Sequence, residues 1–248
     1  MKHVLLPALL LMSLPARASL GVDERPGAQV PVELILRDEE GRPVVLGSLL
    51  DKPVLLTLNY FRCAGVCTPQ LNGLVDALAR SPGEPGDRFH VLTVSFDPRD
   101  TPDVARRKRD NYLQQIPRAV DPASWRFLTG DAAATRALAD AVGFRFEAQG
   151  EDFAHPAVVT VLAPGGRVSR YLYGLTYLPA ELQMAAQEAA GGRTGPTVAK
   201  ALSICFRYDP AARRDVFSLT RFFGIVGVTG FLVFMITLAI QGRRRRRT

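Results

Sequence analysis

The sequence predicts an α/β sandwich built on a mixed central sheet, and three observations carry that prediction. Residues 54–58 (Val-Leu-Leu-Thr-Leu) are a continuous apolar run of strand length, as expected of a strand covered on both faces, and residues 91–96 make a second buried strand. Each precedes a segment of helical periodicity, the arrangement of parallel strands joined by crossover helices. Residues 157–162 and 168–173 are two further strand segments separated by a Gly165-Gly166 turn, which reads as an antiparallel hairpin. Parallel and antiparallel pairs in one chain make the sheet mixed.

The remaining elements follow in order. Residues 30–36 and 43–46 flank an acidic turn at 38–42 and predict a hairpin. Leu71, Leu74, Val75 and Leu78 recur on one face of a helix whose first turn tolerates Pro69. Residues 81–87 hold two prolines and two glycines and form a loop. Thr101-Pro102-Asp103 opens the next helix, with Thr101 as N-cap and Pro102 in the first helical position. Residues 125–128 predict a strand, Asp131 caps an alanine-rich helix ending at Gly143, and residues 144–147 predict a short strand. Residues 178–190 make the last helix of a domain placed at 28–190, ahead of a Gly- and Pro-containing linker at 191–221.

Composition bounds what this chain does. With 47% apolar and 22% charged residues it is globular, neither disordered nor collagen-like nor a polytopic membrane protein. The net charge of +7 suggests nucleic-acid binding until its location is examined. Lys2, Arg17 and the five arginines of 243–247 account for the whole excess over the 24 acidic residues, so the chain between is neutral. No nucleic-acid partner is expected.

The two ends read as addresses. A cationic start, an apolar core at residues 4–14 and Ala16-Arg17-Ala18 predict a secretory signal peptide at 1–18, cleaved after Ala18; an uncleaved anchor is the alternative. Residues 222–240 carry no charge and, as a helix, reach about 28 Å, the thickness of a bilayer core. Arg243–Arg247 follow at once within a basic tail at 241–248, which places the C-terminus in the cytoplasm and the domain outside. The expected location is the bacterial inner membrane, single-pass, with the domain facing the periplasm.

Chemistry concentrates at Cys63-Ala64-Gly65-Val66-Cys67, directly after a buried strand and at the start of a helix. Exposed amides and the positive helix end stabilise a thiolate there, and three intervening residues let both sulfurs face one point. A structural disulfide is the alternative use of the pair in an oxidising compartment. Of the three histidines, His3 belongs to the leader and His90 opens a buried strand as a solvated strand-end residue. His155 lies in Asp152-Phe153-Ala154-His155-Pro156, just before the predicted hairpin. In a thioredoxin-like sheet that loop packs beside the helix N-terminus carrying the cysteines. Two thiolates and an imidazole form a soft, three-coordinate set suited to Cu(I). A structural zinc ion wants a fourth ligand, for which only carboxylates such as Asp152 are nearby.

Several blocks in order resemble the Sco/SenC family of thioredoxin-fold copper proteins, in particular its bacterial branch with a C-terminal membrane anchor. They are Asn59-Tyr60-Phe61-Arg62-Cys63-Ala64-Gly65-Val66-Cys67, Leu71-Asn72-Gly73-Leu74, Val94-Ser95-Phe96-Asp97-Pro98-Arg99-Asp100-Thr101-Pro102, Phe127-Leu128-Thr129-Gly130-Asp131 and the His155 segment through Gly166-Arg167. The resemblance implies a thioredoxin-like sandwich plus one transmembrane helix, and copper held by Cys63, Cys67 and His155. It also implies a role in assembling the binuclear copper centre of cytochrome c oxidase subunit II. A copper donor is then needed, and a thiol reductant, because the thiols must be reduced before copper binds. The competing expectation is a thiol–disulfide oxidoreductase using Cys63 and Cys67 as a redox pair. Ala64 and Thr68 stand where many relatives have proline, and Pro156 follows the histidine where relatives often have a small residue. Whether Pro156 holds its loop as the cis-proline of thioredoxins does is a question the sequence leaves open.

Other polar features read as structural. Arg106-Arg107-Lys108-Arg109 is expected to be a solvated helix face, with docking as the alternative. Asp97 and Asp100 are expected to serve a turn and a helix cap rather than a hard metal. Cys205 is expected to be a buried free thiol, with a third redox partner as the alternative.

Overall fold

The computed structural model describes residues 21–63, 65–81 and 85–195, with the backbone of 206–209 and 214–217. Its elements in chain order are β1 (Gly21–Val22), β2 (Ile35–Arg37), β3 (Pro43–Val45), β4 (Val54–Asn59) and α1 (Cys67–Ala79). Then come β5 (His90–Ser95), α2 (Pro102–Gln114), β6 (Trp125–Leu128), α3 (Ala132–Ala141), β7 (Phe144–Arg145), β8 (Glu147–Gln149) and β9 (Asp152–Ala154). Last are β10 (Val158–Leu162), β11 (Val168–Tyr173), α4 (Pro179–Ala190), β12 (Phe206–Asp209) and β13 (Arg214–Phe217).

Five strands form the central sheet in the order β11-β10-β4-β5-β6. β4, β5 and β6 run parallel, and β10 turns antiparallel against β4, so the sheet is mixed as predicted. Every residue of β4 is buried because each face of the sheet has its own cover. Leu55 packs with Leu74 and Leu78 of α1, Tyr112 of α2 and Leu182 of α4. Its neighbours Val54, Leu56 and Leu58 face the other way, onto Leu36, Leu46 and Leu138 of α3. The alternation of side chains along a strand therefore builds two cores from one run. On the α1 face, Thr57 and Thr93 share a 3.0 Å hydrogen bond, and the Trp125 indole donates to Thr93 at 3.0 Å. Gly73 lets α1 approach the segment after β11, since any Cβ there would overlap the Leu175 carbonyl.

The hairpin β2–β3, the strands β6 and β11 and the Asp131 cap agree with the sequence reading; Asp131 accepts the Ala134 amide at 2.7 Å. Thr101 precedes α2 but its side chain makes no capping bond. The short strand expected at 144–147 is divided: β7 pairs with β1, while β8 starts a separate hairpin with β9. Pairing of Gly21–Val22 also brings residues ahead of 28 into the domain. Within the stretch expected as a linker, β12 and β13 pair as an antiparallel ribbon. Among the described residues no helix is long and apolar enough to cross a membrane. The predicted signal peptide, the span at 222–240, the basic tail and Cys205 lie outside the described residues.

The basic run on α2 is not uniformly solvated. Arg106 pairs with Asp103 at the surface, but Arg109 is mostly buried and lies 3.5 Å from the fully buried Glu39. Arg126 donates to Glu39 through Nε at 2.9 Å and Nη2 at 2.8 Å, and the Phe127 amide donates at 2.7 Å. A carboxylate taken out of water needs such partners, so the fold draws one arginine of the run inward.

Candidate metal centre

β4 ends at Asn59, and Tyr60, Phe61 and Arg62 lead into Cys63. α1 starts at Cys67, and its N-cap residue, Val66, has no side-chain acceptor. The Cys63 sulfur takes that role, accepting the Gly65 amide at 3.3 Å and the Cys67 amide at 3.4 Å. Helix-terminal amides left without intrahelical partners favour negative charge at this position.

His155 lies between β9 and β10. Its Nε2 lies 3.0 Å from Cys67 Sγ and its Nδ1 lies 3.1 Å from the Pro156 carbonyl oxygen. A carbonyl can only accept, so Nδ1 carries a proton, and Nε2 is the ring atom turned toward the sulfurs. The His155–Pro156 bond is trans, which answers a question the sequence left open. Around the imidazole stand Tyr60, Phe96 and Phe144, with ring centroids at 5.8, 5.3 and 6.0 Å. Tyr60 Oη donates to Asp152 Oδ1 at 3.1 Å, so Asp152 braces the aromatic wall and is not a fourth member of the ligand group.

Cys63, Cys67 and His155 form a group of buried potential ligands whose donor atoms all lie within 4.8 Å of one another. Both cysteines are free thiols. They differ in proton affinity. The hydrogen bond with Cys67 lowers the Cys63 thiol well below its usual range, outweighing burial, with further help from His155 and the Cys67 amide. Burial raises Cys67, and its hydrogen bond with Cys63 raises it further. The pair thus holds one thiolate, on Cys63, and one proton, on Cys67, in the neutral range. Burial also raises the Tyr60 phenol, followed by its hydrogen bond with Cys63, so it stays protonated.

The structure brings together all three ligand candidates read from the sequence. His90 is not among them; its Nε2 lies 3.2 Å from Asp51 Oδ1 at the far end of β5. Sequence reasoning missed the buried support beneath the site. Asp100 accepts the Phe61 amide at 2.6 Å, and Asp97 is 1% exposed and gripped by Arg99. The signal available was two acids, Asp97 and Asp100, within five residues of the end of a buried strand.

A thioredoxin-like domain that buries two cysteines and a histidine around one point belongs to the class of candidate soft-metal-binding proteins. Residues 22–189 match the model of the SCO1/SenC family, and the chain belongs to that family. It is similar to a solved protein of Aquifex aeolicus VF5 named for electron transfer: 32% identity, TM-score 0.61, covering 67% of this chain and 95% of that one. Arabidopsis thaliana ScoI, solved with copper bound, shares the fold at 18% identity and TM-score 0.52, over 68% of this chain and 99% of that one. BsSco, described as a member of the Sco family of cytochrome c oxidase assembly proteins with a disulfide switch, shares it at 18% identity and TM-score 0.51, over 66% and 97%. A search of curated proteins gave no match.

Proposed function

We propose that this chain is a membrane-anchored copper-binding protein that helps assemble the binuclear copper centre of cytochrome c oxidase subunit II. The convergence of Cys63, Cys67 and His155 within 4.8 Å, all three buried, is the observation that carries this reading. Two sulfurs and one imidazole suit Cu(I), and the shared thiolate lowers the cost of loading it. Membership of the SCO1/SenC family supports it, as do the copper bound by a relative and the assembly role given to another. In this reading copper is cargo. A copper donor loads the site, a thiol reductant keeps Cys63 and Cys67 reduced, and subunit II receives the metal.

The tether is part of the proposal. Cleavage after Ala18, a linker over 191–221, a span at 222–240 and a cytoplasmic tail at 241–248 hold the domain on the periplasmic face of the bacterial inner membrane. A shared membrane raises the effective concentration of the chain and an oxidase subunit. Protease added to intact spheroplasts is expected to digest the domain and spare the C-terminal tail. Protection of the domain contradicts this topology.

A thiol–disulfide oxidoreductase is the second reading, favoured by the unequal proton affinities of the two free thiols. His155 separates the two, because disulfide exchange does not need it. A His155→Ala chain is expected to keep disulfide exchange yet fail to mature the oxidase in a strain lacking the wild-type gene. Full maturation by that variant favours the reductase.

A further inference from the structure

The Asp97-Pro98-Arg99-Asp100 segment holds no ligand, yet it touches both loops that do. Asp100 accepts the Phe61 amide and the Ser95 hydroxyl at 2.6 Å each, and Arg62 Nε at 3.3 Å, which fastens the approach to Cys63 onto the end of β5. Arg99 faces the opposite way. Its guanidinium grips Asp97 through Nε at 2.8 Å and Nη2 at 2.8 Å, and Nη2 also donates to the Glu151 carbonyl at 2.8 Å. The same group lies 5.5 Å from the centre of the Phe153 ring. Phe153 packs edge-on against Tyr60 at 5.3 Å and Phe96 at 5.4 Å, the rings that contact His155.

The hairpin that Arg99 reaches is otherwise held by the Tyr60–Asp152 hydrogen bond and the packing of Phe153. β8 and β9 pair only with each other and take no place in the central sheet. Residues 147–152 are exposed throughout. His155 follows this hairpin directly, so whatever fixes Glu151 and Phe153 fixes the histidine's approach to the sulfurs. Asp97 is buried, and a planar guanidinium satisfies a carboxylate and a carbonyl together in a way that lysine's single ammonium does not.

We infer that Arg99, anchored on Asp97, is a positioning residue that sets His155 against Cys63 and Cys67; the inference rests on the copper-binding reading of those three residues. Outer partners that orient a ligand typically contribute about 10–100-fold to metal affinity.

A double-mutant cycle on the reduced full-length chain in mild detergent tests this, with Cu(I) affinity read by competition against a colorimetric Cu(I) chelator. Arg99→Lys, which keeps a cation beside Asp97, and Arg99→Gln are each expected to weaken Cu(I) binding about tenfold. In a His155→Ala background neither is expected to weaken it further, because the histidine through which Arg99 acts is gone. A loss of equal size in both backgrounds, or no loss in either, overturns the inference while leaving the copper site intact. A second readout needs no metal. The His155 ring resonances of the apoprotein are expected to shift in Arg99→Lys and to stay in place in Arg106→Lys. Unmoved resonances in Arg99→Lys overturn the positioning role. If the wild-type chain takes up no Cu(I), it is the underlying copper reading that fails, and the inference falls with it.

Discussion

Cys67 Sγ and His155 Nε2 lie 3.0 Å apart although 88 residues separate them in sequence. Sheet topology makes the meeting. β10 pairs antiparallel to β4, with Val159 opposite Thr57, so the chain leaving β4 and the chain entering β10 emerge at the same end of the sheet. The helix carrying Cys67 starts there, and the loop carrying His155 ends there.

The shared proton of the cysteine pair predicts a stoichiometry. Cys63 is a thiolate at neutral pH, and Cys67 is the thiol of the pair that retains its proton. Cu(I) binding to the reduced chain is therefore expected to release about one proton, from Cys67, rather than two. Calorimetry in buffers of different ionisation enthalpy measures the number.

The same asymmetry predicts a pH dependence of stability. Folding lowers Cys63 from its ordinary 9.0, so its contribution is fully present above pH 9.0 and is lost as pH falls through the lower folded value. Cys67 moves the other way, and its contribution is present below pH 9.0 and lost as pH rises through the higher folded value. In urea unfolding of the reduced chain, the stability difference between wild type and Cys63→Ser is expected to grow from acid to neutral pH.

Glu39 predicts a large structural effect away from the site. Removing its carboxylate leaves the Phe127 amide without its acceptor and takes from Arg126 its bidentate partner, leaving Asp38 at 3.6 Å, while Arg109 keeps Asp110 and Glu40. Glu39→Ala is expected to cost about 3–5 kcal/mol in chemical denaturation while leaving Cu(I) stoichiometry unchanged.

Gly73→Ala tests the close packing of α1. The added methyl group meets the Leu175 carbonyl, which is backbone and cannot rotate away. A loss of about 1–3 kcal/mol is expected by the same measurement, as for other overpacked positions.

The ligands were legible because cysteine and histidine are scarce here and stand at a strand–helix junction and a strand entry. The sheet was legible because residues 54–58 and 91–96 are short, mostly apolar and free of charge, and both strands are buried along their length. The supports were not. Arg106 and Arg109 look alike in sequence, and only the placement of the β2–β3 turn decides that one meets Glu39 while the other stays in water. Asp97 and Asp100 read as turn formers, a role Asp97 does fill by accepting the Arg99 amide, but their burial against the ligand loops depends on long-range contact. Phe144, Phe146 and Phe153 are isolated aromatics in sequence and become one wall only when β7, β8 and β9 fold back beside Phe96.

Titrating the reduced full-length chain with Cu(I) under a competing chelator tests the central claim most directly. One tightly held Cu(I) per chain is expected, abolished in Cys63→Ser/Cys67→Ser and weakened at least about tenfold in His155→Ala. Equal Cu(I) binding by the double serine variant and the wild type would contradict the account.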